Sequence, residues 1–340
     1  MAAAAVDTTV AVETADTIAI NHLSSENFAS PALSDFFLLY IEAKFTHMKN
    51  LAITSPIAGC MRWGIWGAGF TTEQYRNMID ACLDAGIFAF DHADIYGDYT
   101  TEAEFGKALQ GKSEKRQKMK LITKCGIQMK TPNRPQHTIK SYNTTAAHII
   151  QSAEHSLQNL QTDYLDLLLI HRPDPLLHPE AVAEAVTQLQ QAGKIISFGV
   201  SNFLPSETSM LKKWVPIAYN QIECSLLMRD AFTNGTLSHC IEHEIIPMAW
   251  APLGGGIISD ETHPRYRAIR ACTSELAAKY QTGENQILLA WLLRHPAGIL
   301  PVVGTTKLER LLEAKEAQSI QLERKDWFRL LEAAAGEEVA

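Results

Sequence analysis

Short apolar runs alternate with segments of helical periodicity from about residue 48 to the end of the chain. Runs of aliphatic and β-branched residues predict strands, and apolar residues three or four positions apart predict helices. The pattern predicts an N-terminal hairpin over Leu51–Cys60, followed by eight strands, each with a helix after it. The predicted strands are Arg62–Trp66, Ile87–Asp91, Lys120–Cys125, Tyr164–His171, Ile195–Ser201, Ile217–Gln221, Ile245–Trp250 and Ile299–Val303.

The predicted helices have recognisable ends. One begins near Thr72 and stops at Gly86, and another is opened by a capping box formed by Thr101 and Glu104. The second of these covers Thr101–Leu109, and the remaining helical segments are Thr145–Leu160, Glu180–Ala192, Pro205–Lys213, Leu237–His243, Asn285–Arg294 and Leu308–Glu316. Strand and helix therefore alternate along the whole of this region.

This alternation favours an α/β fold with a parallel sheet. Asp166–Ile170 and Ile299–Val303 are almost entirely apolar, as strands covered on both faces must be. Eight right-handed βα units close naturally into a barrel. An open doubly wound sheet would carry a G-x-G-x-x-G loop after its first strand, but Gly64–Gly69 reads G-x-x-G-x-G. We therefore predict a single-domain (β/α)8 barrel.

The first 47 residues differ from the rest of the chain. They carry six acidic residues and one basic residue, Lys44, and they show no periodic apolar pattern before Phe36. Neither a secretory signal nor an Arg-rich transit peptide has this composition. We predict a disordered extension over residues 1–47 and a barrel domain over residues 48–340, with Met48 as a hypothetical second start of translation.

Charge and cysteine content exclude several classes of protein. The 340-residue chain has a formal charge of −8, which gives no electrostatic reason to expect nucleic-acid binding. The longest early apolar run, Phe36–Ile41, is far shorter than the roughly 20 residues of a membrane span. The six cysteines are scattered and form no Cys-x-x-Cys pair, which is typical of reduced thiols in the cytoplasm.

Ionisable side chains stand at the ends of predicted strands. Asp91, Lys124 and His171 close the second, third and fourth strands, and Tyr96 follows Asp91 by five residues. In a βα barrel these ends meet at one mouth, where catalytic groups lie. The Lys124 ammonium would lower the pKa of Tyr96, and Asp91 would hold the lysine charged. Such a proton donor suits an oxygen that gains negative charge, and His171 could hydrogen-bond that oxygen.

Hydride delivery to a carbonyl carbon is the matching chemistry, and it requires a nicotinamide because no side chain can supply a hydride. Trp250 offers a flat face for stacking, and the amides of Asn202 and Gln221 match a carboxamide. Trp66 is the residue that we expect to form a substrate-contacting wall.

At these positions the sequence resembles the aldo-keto reductase superfamily, and within it a bacterial-type branch of predicted oxidoreductases. The matching stretches occur in family order from about Met48 to the end of the chain. They are Phe90–Gly97 (FDHADIYG), Ile122–Gly126 (ITKCG), Asp166–His171 (DLLLIH), Gly199–Asn202 (GVSN), Asn220–Gln221, Trp250–Gly256 (WAPLGGG) and Pro301–Arg310 (PVVGTTKLER).

The resemblance implies an NADP(H)-dependent reductase of aldehydes or ketones. It implies Tyr96 as the proton donor, Lys124 and Asp91 as its tuning pair, and His171 as the residue that orients the carbonyl. The implied cofactor contacts are Ser201, Asn202, Gln221, Trp250, Pro252, Leu253, Gly254, Gly304, Thr305, Thr306, Lys307, Arg310 and Glu313.

The expected preference between NADPH and NADH depends on the last part of the resemblance, from Gly304 to Ala314. Gly304 stands where many family members carry Lys, and Ala314 stands where many carry Asn. Lys307 and Arg310 can still bind a 2′-phosphate, so we expect NADPH, with NADH as the alternative. The expected partner is a small-molecule carbonyl compound, and the chain is expected to be a monomer or a weak homo-oligomer.

Three other interpretations were open at the sequence level. One is a redox-sensing module that binds nicotinamide and turns over slowly. Another is an isomerase or aldolase in which Lys124 forms a Schiff base, against which the charge of Asp91 argues. His239 and His243 have the i, i+4 spacing of zinc ligands, but no third ligand stands near them, so no metal site is expected.

Overall fold

A closed barrel of eight parallel strands forms the centre of the computed structural model, which describes residues 53–259 and 264–338. The barrel strands are β1 (Ile57–Gly59), β2 (Ala89–Asp91), β3 (Lys120–Cys125), β6 (Leu165–Ile170), β7 (Ile195–Ser201), β8 (Tyr219–Glu223), β9 (Ile246–Trp250) and β10 (Leu300–Val303). Their order around the barrel is β1-β10-β9-β8-β7-β6-β3-β2. Strands β4 (Ile127–Gln128) and β5 (Ser141–Tyr142) form a separate antiparallel pair. The predicted (β/α)8 barrel is confirmed.

Helices surround the barrel. Those in the described part of the chain are α1 (Thr72–Asp84), α2 (Tyr96–Tyr99), α3 (Thr101–Leu109), α4 (Ser113–Lys118), α5 (Ala146–Leu160), α6 (Pro179–Gln191), α7 (Pro205–Lys212), α8 (Asp230–Thr233), α9 (Thr236–Glu242), α10 (Pro264–Tyr280), α11 (Glu284–Leu293), α12 (Leu308–Glu316) and α13 (Arg324–Ala335). Two 3₁₀ segments cover Gly254–Ser259 and Ala317–Ser319. Within the described ranges, no helix is both long enough and apolar enough to cross a membrane.

Alternation along the strands fills the inside of the barrel. The buried cluster there consists of strand residues together with Ile53, and its members are Ile53, Ile57, Ala89, Ile122, Leu167, Leu169, Tyr219, Met248 and Val302. Side chains two residues apart on a strand point to the same face. Residues that follow these core positions by two therefore also point into the barrel, at the mouth that its carboxyl ends form.

The prediction for the first strand was wrong. Arg62–Trp66 lies in the loop after β1, and Ile57–Gly59, which was assigned to a hairpin, pairs parallel with β10 and β2. Tertiary packing explains the misleading pattern. The fully buried ring of Trp63 packs against Phe70 and Phe105, and its Nε1 donates to the Thr305 carbonyl at 2.8 Å. An apolar loop residue of this kind resembles a strand residue in the sequence.

Two further differences concern the helices. The capping box predicted for Thr101 and Glu104 is wrong, because Thr100 is the N-cap of α3 and makes no side-chain cap hydrogen bond. Helices α10 and α13 and the short helices α2, α4 and α8 were not predicted, since the expected pattern provides one helix after each strand and these five are additional. The prediction of an extension over residues 1–47, with Met48 as a start, lies outside the described residues and stays a prediction.

Candidate active site

Three of the predicted residues meet at the mouth of the barrel. The Lys124 Nζ lies 2.8 and 2.7 Å from the two Asp91 carboxylate oxygens and 3.1 Å from the Tyr96 hydroxyl. It also donates to the His92 carbonyl at 2.7 Å. All three side chains are nearly or fully buried. The geometry thus joins a phenol, an ammonium and a carboxylate in one hydrogen-bonded group.

Local structure explains why these side chains meet. Asp91 and Lys124 follow the inward-facing Ala89 and Ile122 by two residues, so both point into the barrel. Beyond β2 the backbone stays against β3, since the Asp94 N–H donates to the Lys124 carbonyl at 3.0 Å. This path holds Tyr96 above the lysine.

The chain turns sharply after Tyr96. Gly97, Asp98 and Tyr99 all adopt left-handed conformations, with φ of 57°, 54° and 69°. Glycine is required at the first position, because an added Cβ there would lie 2.5 Å from the Thr101 Oγ1. The two non-glycine residues store local backbone strain beside the candidate proton donor.

The buried ion pair determines the charge state of the group. Burial lowers the pKa of Lys124, but the Asp91 carboxylate and the Tyr96 hydroxyl outweigh burial and leave that pKa above its ordinary value. Lys124 is therefore an ammonium at neutral pH. Burial raises the pKa of Tyr96, and the Lys124 charge opposes this change without reversing it. The Lys124 charge thus lowers the pKa of Tyr96, as expected, but burial raises that pKa by more. The phenol therefore stays fully protonated at neutral pH.

His171 lies beside this group, just beyond the end of β6. Its ring centroid is 6.1 Å from that of Tyr96, and the side chain is buried. Burial and the nearby charges of Lys124, Arg172 and Lys140 hold its pKa well below the ordinary value. The imidazole is therefore neutral at neutral pH and carries one N–H that can donate to a ligand oxygen.

A cavity of about 930 Å³ opens above these residues. Its wall includes Tyr96, Asp91, His171 and Trp66, and Lys124 lies beneath it. All but one of the residues predicted to bind the cofactor line this cavity. The exception is Gly254, where an added Cβ would lie 2.7 Å from the Leu227 Cδ1, so this glycine packs against Leu227.

One end of the cavity presents amides and an indole. The Trp250 Nε1 donates to the Asn202 Oδ1 at 2.9 Å, and the Asn202 amide donates to the Ser201 Oγ at 2.8 Å. Gln221 donates to Asp91 at 2.8 Å, which links the amides to the ionised group across 130 residues of sequence. These bonds fix the orientation of the indole ring and of both amides.

The other end of the cavity is formed by the loop before α12. Gly304, Thr305, Thr306 and Lys307 line it, and no atom lies within 4 Å of a Cβ placed on Gly304. The free N–H groups at the start of a helix attract phosphates. The residues of this wall are therefore of the kind that a phosphate-bearing dinucleotide requires.

Sequence reasoning missed several residues of the cavity wall, among them Met129, Lys140, Tyr142 and Arg172. Arg172 could have been found, because it directly follows the strand-end residue His171. Lys140 and its neighbours lie in a long segment with no periodic pattern, so the sequence offered no signal for them.

Across residues 53–259 and 264–338, no group of three or more His, Cys, Asp or Glu side chains is placed to hold a metal ion. The rings of His239 and His243 are 4.3 Å apart, and His239 is hydrogen-bonded to Ser209 at 2.7 Å. His239 lies on α9 and His243 is the C-cap of that helix, and neither residue lines the cavity.

Known proteins resemble this chain over most of its length. A model of the Aldo/keto reductase family matches residues 57–335. An uncharacterized oxidoreductase of Bacillus subtilis, YcsN, is 42% identical over 294 residues, which cover 86% of this chain and 97% of the relative. A 6-dehydroglucose reductase of Agrobacterium fabrum is 41% identical over 300 residues, covering 86% of this chain and 100% of the relative.

A solved structure shares the fold. The crystal structure of an aldo/keto reductase from Klebsiella pneumoniae in complex with NADP and acetate has a TM-score of 0.67 and 26% identity. The match covers 83% of this chain and 92% of that chain.

Proposed function

The chain belongs to the aldo/keto reductase family, and we propose that it reduces an aldehyde or ketone to an alcohol with NADPH, using Tyr96 as the proton donor. The observation that carries this proposal is the Tyr96 hydroxyl, which borders the cavity and lies 3.1 Å from the buried Lys124 ammonium. The oxidoreductase names of the relatives and the NADP in the Klebsiella structure support it.

Each residue of the site has a separate role in the proposed reduction of the carbonyl. When bound, NADPH supplies the hydride that adds to the carbonyl carbon. Tyr96 donates its proton to the carbonyl oxygen as negative charge develops there, and the Lys124 ammonium stabilises the phenolate that remains. The neutral His171 donates a hydrogen bond to the same oxygen and orients the carbonyl. Asp91 keeps Lys124 charged and in place.

The contacts of Lys124 argue against Schiff-base chemistry. A lysine nucleophile must be an uncharged amine with access to substrate. Lys124 is charged, 1% exposed, and hydrogen-bonded to Asp91, to Tyr96 and to the His92 carbonyl. Its ammonium group instead lies within hydrogen-bond distance of the Tyr96 hydroxyl.

The cavity wall fits NADPH. Trp250 would stack on the nicotinamide, and Ser201, Asn202 and Gln221 would hold its carboxamide. The loop over Gly304–Lys307 and the start of α12 would bind the phosphates. Pro252, Leu253 and Glu313 would complete the cofactor contacts, and Arg310 would pair with the 2′-phosphate.

Replacing Arg310 with Gln is expected to weaken NADPH binding about 10-fold and NADH binding less than about 2-fold. Arg310 is exposed on the cavity wall, and only NADPH carries the phosphate that would pair with it. Titration of nicotinamide fluorescence with both cofactors measures the change. An equal loss of affinity for NADPH and NADH would contradict the assignment.

The rate of carbonyl reduction is expected to be flat from about pH 6 to about pH 9. His171 stays neutral because its pKa is well below the ordinary value, so no inflection occurs near pH 6.5. Tyr96 is active when protonated, and its raised pKa moves the loss of activity to still higher pH. Single-turnover rates across this range provide the test, and an acid inflection that disappears in His171→Asn would contradict it.

A steady-state measurement distinguishes the reductase from a slow redox sensor. Absorbance at the nicotinamide band, followed with excess NADPH across a panel of carbonyl compounds, reports multiple turnovers. Continuous oxidation of NADPH supports the reductase. A single stoichiometric burst with every compound would support the sensor instead.

A further inference from the structure

Among the described residues of the cavity wall, basic side chains outnumber acidic ones, although the chain as a whole has a formal charge of −8. The basic residues that line the cavity are Arg62, Lys140, Arg172, Arg270, Lys307 and Arg310. The acidic residues that line it are Asp91, Glu284 and Glu313. Asp91 is already paired with Lys124.

Two of these cations, Lys140 and Arg172, lie beside His171. Both line the same cavity as His171, and their charges add to burial in lowering the pKa of the imidazole. The Arg172 guanidinium carbon lies over the Trp250 ring, 5.6 Å from its centroid. Arg172 follows β6 and Lys140 precedes β5, so two separate segments bring positive charge to this part of the wall.

The acidic groups near Arg172 leave its guanidinium available. Among the described residues, no carboxylate oxygen lies within 4.0 Å of a nitrogen of Arg172 or Lys140. Asp174 is occupied by the Thr144 hydroxyl at 2.8 Å and by the Leu176 N–H at 2.8 Å. Burial raises the pKa of Glu223, and the charge of Arg172 opposes this change without reversing it; the half-buried carboxyl does not line the cavity.

This inference rests on the proposed function: we propose that the carbonyl substrate carries a carboxylate away from its carbonyl group, and that Arg172 and Lys140 bind that carboxylate. A guanidinium presents paired N–H groups that match the two oxygens of a carboxylate. A site that holds a half-buried cation discriminates against a substrate without the partner charge. Neither residue has a role in the proton transfer or in the proposed cofactor contacts.

Pairs of substrates that have nearly the same shape and differ in charge test whether the carboxylate is recognised. We would measure kcat/KM with NADPH for 3-carboxybenzaldehyde and for 4-carboxybenzaldehyde, each against its neutral primary amide. The acid and the amide have nearly the same shape, so their ratio of kcat/KM reports recognition of the carboxylate. The wild-type ratio is expected to be at least about 10 for one of the two pairs.

Variants should move this ratio in opposite directions. Arg172→Gln is expected to lower it about 10-fold, and the exposed Lys140→Gln about 3-fold. Glu223→Gln removes the acidic charge that partly neutralises Arg172, so it should raise the ratio about 2-fold. Arg134→Gln is the control for net charge, because Arg134 lies over the Tyr99 ring at 4.5 Å and does not line the cavity. That variant should leave the ratio unchanged.

Separate outcomes overturn the two proposals. A wild-type ratio near 1 for both pairs, with the amides still reduced, overturns the carboxylate site and leaves the reductase intact. The site is also overturned if Arg172→Gln raises the KM for NADPH and leaves the ratio unchanged, since Arg172 would then serve the cofactor. If no carbonyl compound is reduced at all, the proposed function fails, and the substrate assignment fails with it.

Discussion

Tyr96→Phe is expected to reduce kcat for carbonyl reduction about 10³-fold, while NADPH binds with unchanged affinity. The substitution removes one oxygen, which is the group that would transfer a proton to the substrate. The ring would remain in place, because it packs in a small cluster with Ala93, Ile95 and Ile127. Cofactor affinity should persist, since no cofactor contact assigned above involves the phenol.

The measurement combines single-turnover absorbance at the nicotinamide band with a fluorescence titration of NADPH. Tyr164→Phe is a matched control, because it makes the same chemical change at a ring that lies under Arg116, 3.9 Å from the guanidinium carbon. It should retain wild-type kcat. A Tyr96→Phe enzyme that reduces carbonyls at the wild-type rate would exclude this tyrosine as the proton donor.

Lys124→Met is expected to lower the free energy of unfolding by about 3–5 kcal/mol and to remove most of the activity. Asp91 is 2% exposed and receives two hydrogen bonds from Lys124 and one from Gln221. Without the ammonium, the buried Asp91 carboxyl keeps only the Gln221 amide as a side-chain partner. The cost is that of an unpaired buried charge.

The double variant Asp91→Asn/Lys124→Met gives the decisive comparison. It removes both charges, so it should be more stable than Lys124→Met alone while remaining inactive. Lys107→Met is the matched control, because Lys107 forms an exposed pair with Glu104 and its loss should cost less than about 1 kcal/mol. Urea denaturation measures all three variants. A double variant that is less stable than Lys124→Met would contradict the interpretation of the ion pair.

Helices and strands whose apolar residues recur at a regular spacing were predictable from the sequence. Helix α12 was predicted at its observed bounds, Leu308–Glu316, and β3 at Lys120–Cys125, because packing against the barrel imposes one spacing of apolar residues on each. The prediction of the first strand was wrong because no clear period marks β1. β1 has only three residues, too few to show a period, and the buried Trp63 in the next loop imitated a strand.

The chain's own pattern determined which residues stand at strand ends, and the period of two determined that Asp91, Lys124 and His171 point into the barrel. Those are local properties, because a side chain's face depends only on its neighbours along the strand. Tertiary structure decided the rest. The left-handed turn after Tyr96 and the hydrogen bond from Gln221 to Asp91 depend on segments that meet only once the barrel closes. Burial, which raises the pKa of Tyr96 despite Lys124, likewise exists only in the packed molecule, since desolvation requires surrounding atoms that no short stretch of sequence contains.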